Sequence, residues 1–287
     1  MEYIAFVIIP QMLHGLVWGM AIVLTAIGLT VIFGLMGVVN FAHGELYMLG
    51  AFLGFFFIPV VNSFWISLVI SFVIVGCIGL VIEKFTLKPL YGRNPIYALL
   101  LTFAVSMVLQ ESARLIWGGG TYRVIPPIMG SVNFLGLIYP KYRLFILLFS
   151  AILMSCLWIF FMKTEAGATV RAASQDSQML SSLGVNVPRV FSLTFAAGSA
   201  LAAISGLVMA PVFSVYYRMG TDCIIKAFIV VIIGGFGSIK GAVFVGLVIG
   251  LIESLSSLWI TPTQAETLVF VILIIMLIVR PKGIFSR

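Results

Sequence analysis

Residues Met12–Met36 read MLHGLVWGMAIVLTAIGLTVIFGLM, with no Asp, Glu, Lys or Arg among them. A helix needs roughly 20 mostly apolar residues to cross the hydrocarbon layer of a bilayer, and it hydrogen-bonds all its backbone groups within itself while doing so. The stretch meets both conditions and is read as a membrane span. The start Met1-Glu2-Tyr3 lacks the basic segment of a cleavable signal peptide, so this first span is expected to be retained.

Outward from it the same rule predicts an interrupted second span at 40–60, a third at 64–83 and a fourth at 95–117. A fifth is expected at 142–162, a sixth at 190–212, two close-packed segments at 224–234 and 241–259, and a last span at 266–280. The segment 224–234 is too short for an ordinary crossing. The fold class is therefore an all-α polytopic membrane protein, a single transmembrane domain over 1–287 with about eight transmembrane or re-entrant helical segments. The polar connections are 84–94, 118–141, which opens with Gly118-Gly119-Gly120 and carries Pro126-Pro127, and 163–189.

Composition agrees. Of 287 residues 62% are hydrophobic and 9% charged, whereas a soluble domain carries about a quarter charged residues to face water. The net charge of +7 gathers in short clusters rather than a nucleic-acid-binding stripe, so no nucleic-acid partner is expected. Lys84, Lys88 and Arg93, then Lys163, Arg171 and Arg189, then Arg280, Lys282 and Arg287 mark cytoplasmic loops. That puts the N-terminus outside and the C-terminus in the cytoplasm; Arg123, Lys141 and Arg143 in the outer connection run against the rule. Cys77, Cys156 and Cys223 show no metal or disulfide spacing and read as inert buried residues. Gly15/Gly19, Gly50/Gly54 and Gly246/Gly250 are small-residue pairs at helical spacing, read as helix-packing faces.

Polar groups inside a bilayer are costly and mark function by default. The clearest cluster is Asn40-Phe41-Ala42-His43-Gly44-Glu45-Leu46-Tyr47. On a helix Asn40, His43, Gly44 and Tyr47 share one face, while Gly37 and Gly44 suggest a break between the first two spans. Two readings stand: a turn with Asn40 as N-cap and Glu45 at the positive helix end, or a broken helix facing a translocation path. With His14 the only other histidine, no metal site is expected. A second cluster, Gly234-Gly235-Phe236-Gly237-Ser238, allows a turn or a close approach to ligand. No GxxxxGK[ST] occurs, so the chain binds no nucleotide through a P-loop. A third feature is 163–189, where Arg171, Ala172, Ala173, Asp176, Leu183 and Gly184 lie in a stretch with the spacing of an amphipathic helix. Such a helix either docks into a groove on a soluble partner or lies on the membrane surface. Glu111 and Arg114 read as a structural ion pair. Glu253 either lines the path or is satisfied by Ser256 or Ser257.

With these features in place the chain resembles the permease subunits of bacterial ABC importers for branched-chain amino acids (leucine, isoleucine, valine). The matching stretches are Gly28-Leu29-Thr30-Val31-Ile32-Phe33-Gly34 with Asn40 to Glu45; Arg171-Ala172-Ala173 to Leu183-Gly184-Val185-Asn186; and Lys226-Ala227-Phe228, Gly234 to Ile239 and Val279-Arg280-Pro281-Lys282-Gly283. The resemblance implies a multi-pass protein of the bacterial inner membrane that pairs with a second homologous permease. It further implies two cytoplasmic ATPase subunits, which use the ATP and Mg, and an extracytoplasmic substrate-binding protein. The chain itself would need no cofactor and have no catalytic residue. The ATPase-docking segment maps to about 165–188, with Arg171 where the fullest form of that loop has a glutamate.

On this reading the substrate pathway takes Asn40, Phe41, His43, Gly44, Glu45, Tyr47, Gly234, Gly235, Gly237 and Ser238, and transport proceeds by alternating access. Related permeases carry urea or short amides on the same scaffold. A stand-alone channel or ion-coupled carrier would show rings of charge or a chain of mid-membrane acids. An intramembrane enzyme would need a nucleophile or metal set in register with His43 and Glu45, and the sequence has none.

Overall fold

The computed structural model describes residues 7–134 and 137–285. Helices α1 (Ile9–Met36), α2 (Ala42–Val61), α3 (Phe64–Ile82) and α4 (Pro95–Trp117) lead to a two-stranded antiparallel hairpin, β1 (Ser131–Phe134) and β2 (Leu137–Pro140). There follow α5 (Lys141–Lys163), α6 (Glu165–Gln175), α7 (Ser177–Ser182), α8 (Val187–Met209), α9 (Met219–Gly234), α10 (Ile239–Ser256) and α11 (Pro262–Val279). A π turn and a short 3-10 turn extend α3 to Leu90.

Helix starts fall where a short polar side chain can take a free backbone N–H. Ser63, Asn94, Thr164, Asp176, Asn186, Ser238 and Thr261 each accept such a bond, and Thr261 and Gln264 form a reciprocal capping box. Helix α1 stops at Gly37, whose φ of 64° is left-handed, a conformation glycine adopts at no steric cost.

Eight helices are long and apolar enough to cross a membrane: α1, α2, α3 with its extension, α4, α5, α8, α10 and α11. The expected polytopic all-α class holds, and the protein is a multi-pass membrane protein. Helices α1, α2 and α8 form the centre, where Leu46, Met48, Phe52, Phe195, Leu207 and Met209 are fully buried. Their contact is backbone-close because of glycine. Gly15 and Gly19 of α1 abut Gly250 and Gly246 of α10, and Gly50 abuts Ala203 of α8, as small residues permit in lipid. Outward faces are apolar instead: Val69 and Val73, Leu100 and Met107, Leu148 and Ile152, Ile274 and Ile278 all lie exposed, on surfaces suited to acyl chains.

Two helices begin beside the middle of α1. His43, at the start of α2, has its Nε2 3.1 Å from the carbonyl oxygen of Thr25, midway along α1. The chain therefore turns back at Gly37 and runs without helix over 37–41 before α2 begins at mid-depth. Helix α9 begins at the same level, with Gly220 against Gly44 and the Cys223 thiol 3.6 Å from Thr25 Oγ1. It ends where Gly237 meets Gly34, near the end of α1. The non-helical run 210–218 leads into α9 and is bridged to the connection 118–141 through Tyr122 and Val215. The short segment at 224–234 is thus the C-terminal part of α9, a 16-residue helix.

Several expectations are corrected. Asn40 does not cap α2: Phe41 holds the N-cap position with no side-chain bond, and the Asn40 side chain is fully buried. The polar stretch 163–189 forms two helices rather than one, because Asp176 leaves the helical conformation and caps α7 through Met179 N–H at 2.8 Å. The connection 118–141 carries the β1–β2 hairpin, which apolar-run reading cannot detect. Cys77 and Cys156 lie on exposed faces of α3 and α5 rather than in the core.

Candidate functional site

A cavity of about 880 Å³ opens between α1, α9, α10 and α11 toward the end of the bundle that carries the hairpin. Its apolar wall includes Val17, Trp18, Met209, Val212, Phe213 and Met219. Its charged groups are Arg143, Asp222, Lys226, Glu253 and Glu266, with His14 beside Arg143. Lys226 Nζ donates to Glu253 Oε1 at 2.7 Å and lies 3.3 Å from Glu266 Oε1. The Trp18 indole N–H donates to Glu253 Oε2 at 2.7 Å, and the Trp18 ring lies under Lys226 at 4.7 Å. Glu253 therefore faces the cavity with charged and aromatic partners, not Ser256 or Ser257. The Tyr216 hydroxyl donates to Asp222 Oδ2 at 2.6 Å. At the rim Arg143 bonds to the His14 ring, and the Tyr139 hydroxyl lies 3.3 Å from His14 Nδ1. Burial raises the Tyr139 phenol above its ordinary range against the lowering pull of Arg143, so it stays a neutral hydroxyl.

Below the cavity lies a polar node at mid-depth. Glu45, 1% exposed, accepts from Ser106 and Thr221 hydroxyls, each at 3.2 Å. It sits where the first turns of α2 and α9 meet, so the positive ends of both helices face its carboxylate. Gln110 extends the node by donating to Thr221 Oγ1 at 3.0 Å. Asn40 Oδ1 and Nδ2, His43 Nδ1 and Glu45 Oε2 are buried without a hydrogen-bond partner among the described residues. Buried polar atoms normally find partners, and three side chains with unpaired atoms fall within the single stretch 40–45.

The expected pathway residues divide between two places. Asn40, Phe41, His43, Gly44 and Glu45 build the node, and Phe41 packs edge-on against Phe103 and Phe228. Tyr47, one turn on, lines the cavity and joins the two. Gly234, Gly235, Gly237 and Ser238 lie elsewhere, in the tight turn between α9 and α10. There Gly235 and Gly237 take positive φ, Gly34 and Gly283 press on the turn, and Ser238 caps α10. Of the charged cluster only Glu253 was read from the sequence, as a residue that either lines the path or is satisfied by Ser256 or Ser257; Lys226 and Glu266 were not read as a site. The only signal was that each is a charge inside or beside an apolar run.

At the opposite end, Ala173 packs with Leu35, Leu180 and Val187 and anchors α6 and α7 to α1 and α8. Asp176 caps α7, Arg171 is half-buried and Ala172 exposed. Met179 and Leu183 present side chains 64% and 72% exposed, and Gly184, at φ 84°, ends the unit in open space. The Glu111–Arg114 pair is present and exposed on α4, away from the cavity. No group of three or more His, Cys, Asp or Glu placed to hold a metal occurs among the described residues.

Residues 11–279 match the family described as "Branched-chain amino acid transport system / permease component". The chain is 32% identical to the high-affinity branched-chain amino acid transport system permease protein LivH of Escherichia coli K12, over 97% of this chain and 96% of that protein. It is 29% identical to the corresponding protein BraD of Pseudomonas aeruginosa over the same shares. A probable branched-chain amino acid transport permease LivH of Methanocaldococcus jannaschii is 26% identical, over 94% of this chain and 90% of that protein. No solved structure matches.

Proposed function

Because this chain belongs to the family of permease components of branched-chain amino acid transport systems, we propose that it is the membrane subunit of an ATP-driven ABC importer for leucine, isoleucine and valine. The observation that carries the substrate class is the cavity, whose volume of about 880 Å³ is of the size that holds small ligands. Its apolar wall suits an aliphatic side chain and its paired charges suit a zwitterion. Urea and short amides carry no pair of opposite charges, which favours amino acids over them.

In this reading the end bearing α6 and α7 is cytoplasmic. Lys84, Lys88, Arg93, Lys163, Arg171, Arg189, Lys240, Arg280 and Lys282 collect there, in keeping with the charge rule for cytoplasmic loops. The chain sits in the bacterial inner membrane with its N-terminus outside. It pairs with a second, homologous permease, receives substrate from an extracytoplasmic binding protein, and is driven by two ATPase subunits that hold the ATP and Mg. It has no catalytic residue of its own. ATPase closure pulls on α6 and α7, and Ala173 passes the movement to α1 and α8. Substrate then passes from the cavity by Tyr47 to the node of Asn40, Phe41, His43, Gly44 and Glu45, as the bundle opens alternately to each side. The turn at Gly234, Gly235, Gly237 and Ser238 closes the inner end of the path.

Purification of the detergent-solubilised protein from its native membrane, with mass spectrometry of its companions, tests the assembly. Wild type is expected to bring two ATPases and a second permease. Replacing the exposed edge by Met179→Asp/Leu183→Asp is expected to reduce ATPase recovery by about tenfold, since hot-spot side chains at an interface core carry most of its affinity. The second permease is expected to remain. Recovery of the wild-type chain alone would remove the importer reading.

A further inference from the structure

One ammonium in the cavity wall serves two carboxylates, and the two are held differently. Glu253 is bonded by Lys226 and by Trp18, and its side chain and that of Lys226 are 16% and 14% exposed. Glu266 on α11 is 45% exposed, lies 3.3 Å from Lys226, and has no other charged partner among the described residues. The three groups sum to one negative charge, and it rests on the accessible member.

We infer that Lys226 and Glu266 are the recognition element for the charged head of an α-amino acid, bound by exchange of partners. The substrate carboxylate takes the Lys226 ammonium and the substrate ammonium takes the Glu266 carboxylate, so four charges alternate in a ring. The inference rests on the permease reading above. Both substrate charges sit on one carbon, which matches a protein pair whose own charges are 3.3 Å apart. A carboxylate alone displaces Glu266 and leaves it without a cation. An ammonium alone satisfies Glu266 but leaves nothing to take its place on Lys226. Only a molecule with both closes the ring, while its aliphatic chain lies along Val17, Met209, Val212 and Phe213.

The exchange has a mechanical consequence. Glu253 keeps its bonds to Lys226 and Trp18, so α9 stays tied to α10 and α1, while the direct bridge from α9 to α11 is replaced by one through substrate. Loading thereby changes how α11 is held against the bundle.

The test is uptake of radiolabelled leucine by proteoliposomes holding the intact complex with its binding protein. Glu266→Gln removes the acid yet leaves Lys226 with Glu253, so the half-buried pair survives. Uptake is expected to fall about tenfold, the loss of one hydrogen bond between charged groups. Recovery of the partner subunits should stay at the wild-type level. Glu266→Asp should keep most of the uptake, and Glu111→Gln, at the exposed pair on α4, all of it. Glu266→Gln uptake within about twofold of wild type, the range of an inert surface change, would overturn the proposal and leave the permease reading standing. Wild-type vesicles that import no branched-chain amino acid would overturn both.

Discussion

Gly206→Val is expected to abolish recovery of folded protein from the membrane. Gly206 lies in α8 directly against α2, where a Cβ would fall inside the contact radius of the Tyr47 carbonyl oxygen and 3.3 Å from the Ala51 amide nitrogen. Both are backbone atoms inside a helix, so no rotamer change relieves the clash and the two central helices must separate. Overpacking in a rigid core costs about 3 kcal/mol or more, a large share of the roughly 5–15 kcal/mol that holds a domain folded. Separating α2 from α8 would also expose Leu46, Phe52, Phe195 and Leu207, all fully buried. Size-exclusion chromatography of a fluorescent fusion checks this. The Gly206→Val fusion should aggregate, while Gly119→Ala, where an added Cβ meets nothing within 4 Å, should give the wild-type peak. A monodisperse Gly206→Val peak of normal height would show that the α2–α8 contact is looser than described.

Lys226→Met is expected to destabilise the protein by about 2 kcal/mol, less than for a fully buried pair, because removing one member of a half-buried ion pair leaves the other charge uncompensated. Glu253 would keep only the Trp18 indole as donor, in a side chain 16% exposed. Adding Glu253→Gln to Lys226→Met should restore most of the loss, since a neutral amide still accepts the indole N–H and carries no charge to strand. Heating the purified complex and following its aggregation midpoint compares the variants. Equal midpoints for the single and double variants would mean that the Glu253 charge finds solvent in the cavity and the pair contributes little to the fold.

The spans were legible because the bilayer imposes a length and a polarity that can be read residue by residue. Met12–Met36 or Pro95–Trp117 cannot be other than helical in lipid, and their ends are marked by Gly37 and Asn94 within a residue or so. The glycine pairs were legible for the same local reason, since residues four apart share a helix face. Gly15 with Gly19 and Gly246 with Gly250 do pack, and they pack on each other. The break at 37–41 was visible as glycine and polar residues within apolar sequence. Its depth was not, because depth is a relation between helices.

The sequence by itself therefore determined the class, the spanning helices, the polar loop that carries α6 and α7, and the polar cluster from Asn40 to Tyr47. Each depends on neighbours within a turn or two of chain. Only the tertiary structure decided which charges meet. Lys226 reaches Glu253 across 27 residues, and Trp18 reaches it across 235. Tertiary packing also set α2 and α9 to begin at one level around Glu45, and left Gly234 to Ser238 in a turn away from the cavity. Coulomb and hydrogen-bond energies in a low-dielectric interior depend on separation in space, and in a helical bundle that separation is set by how glycine and alanine let distant helices approach.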